Sequence, residues 1–171
     1  MNLVLIGYRG TGKSTVARLL ASQLGLEVVS LDDEIVKQAG RSIPEIVAAH
    51  GWQYFRDLES AVTKRVCRRD RIIIDAGGGV ILRPENVAAL RQSGKLFWLR
   101  ASVPVIVARI EGGTQRPALM AGKSFTEEVA DVLRERTPLY ESAADQEIDT
   151  DRLTAEETAA AVTRAYRQLS S

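Results

Sequence analysis

Residues 7–14 read Gly-Tyr-Arg-Gly-Thr-Gly-Lys-Ser, which fits G-x-x-x-x-G-K-[ST] between an apolar run and a helical pattern. Each type in that string has a job near a phosphate chain. Gly7, Gly10 and Gly12 let the backbone curl until several N–H groups face phosphate oxygens. The helix that follows adds its positive end, reaching Thr11 and Thr15 in the same cradle. Lys13 offers a point charge to β- and γ-phosphates, and Ser14 offers a hydroxyl to magnesium. At average composition such a string arises by chance in below about 1% of chains this long, which sets aside a ligand-free glycine turn. The expected ligand is a nucleoside triphosphate with Mg2+.

Acids follow two other apolar runs. "SLDDEI", 30–35, holds Asp32, Asp33 and Glu34 in a row. These could touch metal, touch substrate, or start a helix. Ser30, three residues before Asp33, resembles the opening of a capping box, and acids there suit a helix N-terminus. "IIID", 72–75, is a hydrophobic strand ending in Asp75, the general form of the acid that holds magnesium in phosphate-loop enzymes.

The elements that must position these residues alternate. Strand-like runs are expected at 2–6, 26–30, 71–75 and 95–99, with an edge strand at "QEIDT". Helical patterns lie between them, including two short helices each stopped by a glycine (Gly40, Gly51), and a last helix capped by Thr154. This order implies an α/β fold: a five-stranded parallel sheet with helices on both faces and a ligand site beyond the carboxyl ends of the strands. Residues 111–124 carry glycines and prolines without periodicity and read as a functional loop.

Composition narrows the classes. The 171 residues suit one domain, and the 45% apolar and 26% charged fractions are ordinary for a globular protein. A net charge of +1 gives no field for nucleic acid or anionic membrane, and the basic run at 64–71 reads as a solvated helix face. The one cysteine, Cys67, excludes an intrachain disulfide, and His50, the one histidine, has no triad context. No run is long enough to span a membrane and the start does not read as a signal peptide, so a cytoplasmic location is expected.

A GTPase would need an N-K-x-D guanine reader, and neither Asn2 nor Asn86 sits in one. A small-molecule kinase needs none. Here the residues closely resemble the shikimate kinases. The likeness runs in order along nearly the whole chain: the phosphate loop, "DDEIVKQAGRSIPEI", "FRDLE" at 55–59, "GGG" at 77–79, "QRP" at 115–117 and "ERTPLY" at 135–140. The resemblance implies a phosphate-loop domain of the nucleoside-monophosphate-kinase type, with acceptor-binding helices at 32–68 and a short lid at 111–124. It implies ATP-dependent phosphorylation of shikimate by a cytoplasmic enzyme expected to be a monomer.

The same resemblance assigns roles. Arg56 and Arg136 would clamp the acceptor carboxylate, a task suited to planar guanidinium forks. Gly77, Gly78 and Gly79 would let backbone approach the ring. Arg116 would act from the lid on the transferring phosphoryl group, with Gly112, Gly113 and Gly122 as hinges, and Arg109 would stack on adenine. The family's acid pattern D-x-D-x-x-I, anchored on Ile35, makes Asp32 the acid at the acceptor hydroxyl; the other register, with Asp32 as the first acid and Glu34 as the second, would move Ile35 out of place by two. The register anchored on Ile35 also puts Ser30 where the family has its magnesium-side acid. Asp75, where the family usually has a small neutral residue, is expected to take over that role. A pairing of Arg56 with Asp57 or Glu59 is the competing local role. Rival functions are a kinase for another hydroxylated acid such as gluconate, and a ligand-sensing module.

Overall fold

The computed structural model describes residues 1–111 and 124–171. Five strands form one parallel sheet in the order β2-β3-β1-β4-β5. They are β1 (Asn2–Ile6), β2 (Glu27–Ser30), β3 (Ile72–Asp75), β4 (Gly94–Arg100) and β5 (Gln146–Asp149). The three inner strands are almost wholly buried, as apolar strands covered on both faces must be. Their side chains alternate between two cores. Val4 and Ile6 face one that includes Ile35, Ile46, Phe55, Val62, Leu90 and Tyr140. Leu3 and Leu5 face the other, with Val16, Leu20 and Val162.

The helices are α1 (Lys13–Leu24), α2 (Leu31–Ala39), α3 (Ile43–Val66), α4 (Pro84–Ser93), α5 (Val103–Glu111), α6 (Phe125–Ala143) and α7 (Ala155–Leu169). Thr154 caps α7, as its sequence led us to expect, and does so in a capping box with Glu157; α6 opens on another between Ser124 and Glu127. Gly40 ends α2 in the left-handed region. Gly51 stops a helix as expected: its φ 84° and ψ 171° put a kink between two helical segments within α3. Ile46 before the kink and Phe55 after it bury in the same core.

Ser30 and Asp75 are register partners on β2 and β3, and Leu5 of β1 also pairs with Asp75. Three strands therefore end at one level. The phosphate loop leaves β1 there, α2 leaves β2, and the glycine run leaves β3.

Candidate active site

The groups expected to face the nucleotide come mainly from one short segment. Lys13 is buried and its Nζ donates to the carbonyls of Gly7 (2.7 Å) and Tyr8 (3.0 Å). Burial depresses its pKa to about 8, with Asp75 and Asp32 pulling the other way. Thr11 Oγ1 donates to the Tyr8 carbonyl at 2.7 Å and braces the loop. Gly10 (φ 80°) and Gly12 (φ 87°) lie in the left-handed region that the curl requires. Ser14 Oγ donates to Asp75 Oδ2 at 2.7 Å, joining α1 to the end of β3. A cavity of about 460 Å³ opens over this segment, lined among others by Lys13, Ser14, Ser30, Asp32, Asp75 and Gly78.

The opposite side of the site converges from four segments. Gly77, Gly78 and Gly79 follow β3, and each meets a different polar side chain. A β-carbon on Gly77 would stand 2.8 Å from Asp32 Oδ1. One on Gly78 would stand 3.4 Å from Arg136 Nη1. One on Gly79 would overlap the Arg56 guanidinium, 2.5 Å from Nη2. These distances bring Asp32 from α2, Arg56 from α3 and Arg136 from α6 around a single turn of bare backbone. Burial raises the pKa of Asp32, which Lys13 partly offsets and Asp75 reinforces.

This arrangement meets what comparison with known proteins finds: the family model described as "Shikimate kinase" matches residues 9–167. The chain belongs to the shikimate kinase family. A shikimate kinase of Thermodesulfovibrio yellowstonii is 42% identical over 170 residues, covering 99% of this chain and 97% of the relative. One from Nitratidesulfovibrio vulgaris is 46% identical over 144 residues, covering 82% and 81%. Among solved structures, the shikimate kinase of Acinetobacter baumannii in complex with shikimate superposes with a TM-score of 0.91 at 31% identity, covering 98% of this chain and 93% of that one. That of Aquifex aeolicus gives 0.82 at 28% identity, covering 99% and 98%.

Two residues of this shikimate kinase site escape a reading by motif alone. Glu59 is buried, and its Oε1 accepts from Arg56 Nη1 at 2.9 Å. It is thus the helix partner weighed for Arg56, but it lies under the arginine and orients it rather than drawing it to the surface. Burial raises the Glu59 pKa while Arg56 lowers it. The rings of Trp52 and Phe55 flank the same guanidinium at 5.4 and 5.2 Å. The i,i+3 spacing in "FRDLE" was the available signal. Tyr140, at the end of "ERTPLY", is buried, and its hydroxyl donates to the Gly78 carbonyl at 2.5 Å.

The remaining expected residues divide. Ser30 caps α2, accepting from Asp33 N at 3.2 Å, and Asp33 and Glu34 sit in the first turn as expected. Glu34 also pairs with Arg65 at 3.1 Å. Arg109 forks onto Thr150, donating to its Oγ1 (3.1 Å) and its carbonyl (2.9 Å) beyond β5. Arg116, the hinge glycines Gly112, Gly113 and Gly122, and the lid between 111 and 124 lie outside the described residues. Among the described residues no three His, Cys, Asp or Glu side chains gather into a metal cage, and no helix is long and apolar enough to cross a membrane.

Proposed function

We propose that the chain transfers the γ-phosphoryl group of ATP to a ring hydroxyl of shikimate, giving 3-phosphoshikimate and ADP. Membership of the family supports the reaction. The observation that carries the site is the glycine turn 77–79, packed on Asp32, Arg136 and Arg56 beside the phosphate loop. Arg56 and Arg136 hold the acceptor carboxylate, and Glu59 keeps Arg56 in place. Asp32 accepts the proton of the attacking hydroxyl. Its raised pKa suits that task better than an ordinary carboxylate would. The hydroxyl oxygen bonds to the γ-phosphorus as the bond to the β–γ bridging oxygen breaks, and ADP leaves. Gly10, Thr11, Gly12, Lys13, Ser14 and Thr15 cradle the phosphates. Arg116 and Arg109 serve the phosphoryl group and the adenine. Little covalent work falls to the protein, since phosphoryl transfer depends on positioning and charge.

Mg2+ fits the donor set at Ser14 and Asp75, a hydroxyl and a carboxylate in contact at the floor of the cavity. Two protein oxygens suit an ion that takes its other ligands from water and phosphate. When bound, the ion would offset charge on the β- and γ-phosphates. We read the whole chain, 1–171, as one kinase domain with acceptor-binding helices at 32–68. It works as a cytoplasmic monomer, since one chain supplies both sides of the site. Coupled ADP release with ATP, Mg2+ and either shikimate or gluconate tests the reading. Turnover with shikimate and none with gluconate is expected. The reverse, or shikimate-dependent thermal stabilisation with no ADP, would overturn it.

A further inference from the structure

Tyr140 is a buried phenol that no step above uses. It sits on α6 one turn after Arg136, so the two side chains share a helix face. Its hydroxyl donates to the Gly78 carbonyl at 2.5 Å. The positive charge of Arg136, one turn away on the same helix, acts on the same phenol. Its ring stacks on buried Trp98 of β4, with centroids 5.6 Å apart and planes 23° apart. Both ends of the side chain are therefore held: the ring by the sheet, the hydroxyl by the glycine turn.

Gly78 is the middle of that turn. A β-carbon there would meet Arg136 Nη1 at 3.4 Å, the Gly7 carbonyl at 3.6 Å and Arg9 N at 3.7 Å. It is the point where the glycine turn, the phosphate loop and Arg136 come together. Bare glycine backbone has no side chain to fix its height, so its carbonyl needs an outside anchor. The helix carrying Arg136 is also weakened nearby. Pro138 lies inside α6 and removes one backbone donor, so the helix ladder alone holds Arg136 less firmly.

We infer that Tyr140 is a positioning residue for the acceptor: its hydroxyl pins Gly78 and orients the Arg136 guanidinium toward the acceptor carboxylate. The inference rests on the reading of Arg136 as a carboxylate clamp. Burial lifts the phenol pKa to about 12, so the hydroxyl keeps its proton through the working pH range.

The test uses Tyr140→Phe, which deletes the hydroxyl and leaves the ring on Trp98. Steady-state constants are measured with shikimate and with its methyl ester, which keeps the hydroxyls and lacks the charge. For the wild-type enzyme the ester should show a much higher KM than shikimate; equal values would instead overturn the clamp reading itself. With that discrimination present, Tyr140→Phe should raise the shikimate KM about tenfold, as loss of one buried hydrogen bond does. The KM for the ester should rise less than threefold, with the KM for ATP unchanged. Equal penalties on acid and ester, or a lowered melting temperature with unchanged KM values, would reduce Tyr140 to a structural role and overturn the inference. Trp98→Phe is the control for stacking: it should lower the melting temperature and leave the acid-to-ester ratio of KM near wild type.

Discussion

The two sides of the site both depend on glycine, for different reasons. In the phosphate loop the shared need is conformational, since Gly7, Gly10 and Gly12 all have positive φ, although Gly7 and Gly10 are also crowded by Leu99 and Ile110. Gly12 sits at φ 87° with nothing within 4 Å of where a β-carbon would stand. In the turn after β3 the need is spatial. None of Gly77, Gly78 and Gly79 has a left-handed φ, yet an added β-carbon at each meets a side chain proposed to handle the acceptor. The donor side is a backbone shape written in eight consecutive residues. The acceptor side is a space, enclosed by residues that are distant in sequence. The first is proposed to bind a phosphate chain that many enzymes share, and the second to receive the acceptor.

The comparison predicts which kinetic constant each side controls. Lys13→Met and Asp32→Asn should do the most damage, because both remove charge at the reacting atoms. Lys13→Met should lower kcat by about 10²–10³-fold, the range for one preorganised electrostatic contact. Asp32→Asn should lower it by about 10³-fold, within the range for a general base. Asp32→Asn also makes a pH prediction. Its folded pKa lies above the ordinary carboxylate range, so wild-type activity should fall as pH drops through that raised value. The residual activity of the variant should lack that acidic limb. A pH–rate profile with the limb intact in the variant would move the base elsewhere.

Single added methyls separate the two sides next. Gly79→Ala places a carbon within the Arg56 guanidinium, the far end of a flexible side chain, so the protein folds and the arginine moves. Loss of two charge-assisted hydrogen bonds to a carboxylate costs about 3 kcal/mol, which predicts a shikimate KM raised about 10²-fold with the ATP KM within twofold. Gly12→Ala should do the reverse: it strains a left-handed backbone by about 1–2 kcal/mol and weakens ATP, not shikimate. Initial-rate measurements varying each substrate in turn decide this. If both variants raised both KM values alike, the division into a shape and a space would fail.

Legibility in the sequence follows the same division. The order of strands and helices showed in the alternation of apolar runs, and the phosphate loop showed as a motif because its parts are contiguous. Backbone geometry there is local, and local geometry leaves a local signature. Arg56, Arg136 and Gly77–Gly79 gained roles only through resemblance, since nothing in "FRDLE" or "ERTPLY" alone says that they converge. Glu59 lies inside one of those stretches at a spacing that allows a pair with Arg56, but its burial in the site is decided by tertiary packing. Tyr140 owes its place to a partner 62 positions away, which leaves no local signature. Gly51 belongs with the local signals: its left-handed φ interrupts the helix where the residue type led us to expect a stop.

A smaller effect should appear in the pH dependence of ATP binding. Free Lys13 has its pKa lowered to about 8 by burial, and bound phosphates should raise it again. Below about pH 8 the lysine is already charged, and binding takes up no proton. Above it, binding requires proton uptake, so affinity should weaken toward a limit of tenfold per pH unit. Calorimetric titration of ATP at several pH values checks this; flat affinity between pH 8 and 10 would mean that Lys13 stays charged in the free enzyme.

The smallest effect tests the exchange of acids between neighbouring strands. Ser30 and Asp75 face each other across β2 and β3, so an acid at either position reaches the same level beside Ser14. Asp75→Asn should raise the Mg2+ concentration for half-maximal rate and lower turnover about tenfold, the upper end for a lost metal-side partner being greater. Ser30→Ala should leave turnover within twofold and cost about 1 kcal/mol of stability, because it removes only the α2 cap at Asp33 N. The decisive protein carries both Ser30→Asp and Asp75→Asn. Aspartate caps a helix as well as serine does, so the fold is retained while the acid moves across one strand. Recovery of the Mg2+ requirement toward wild type would show that the level matters and not the strand that supplies it. Continued impairment would mean that contact with Ser14 from β3 is what the ion needs, and that Asp75 does more than stand in for a missing acid.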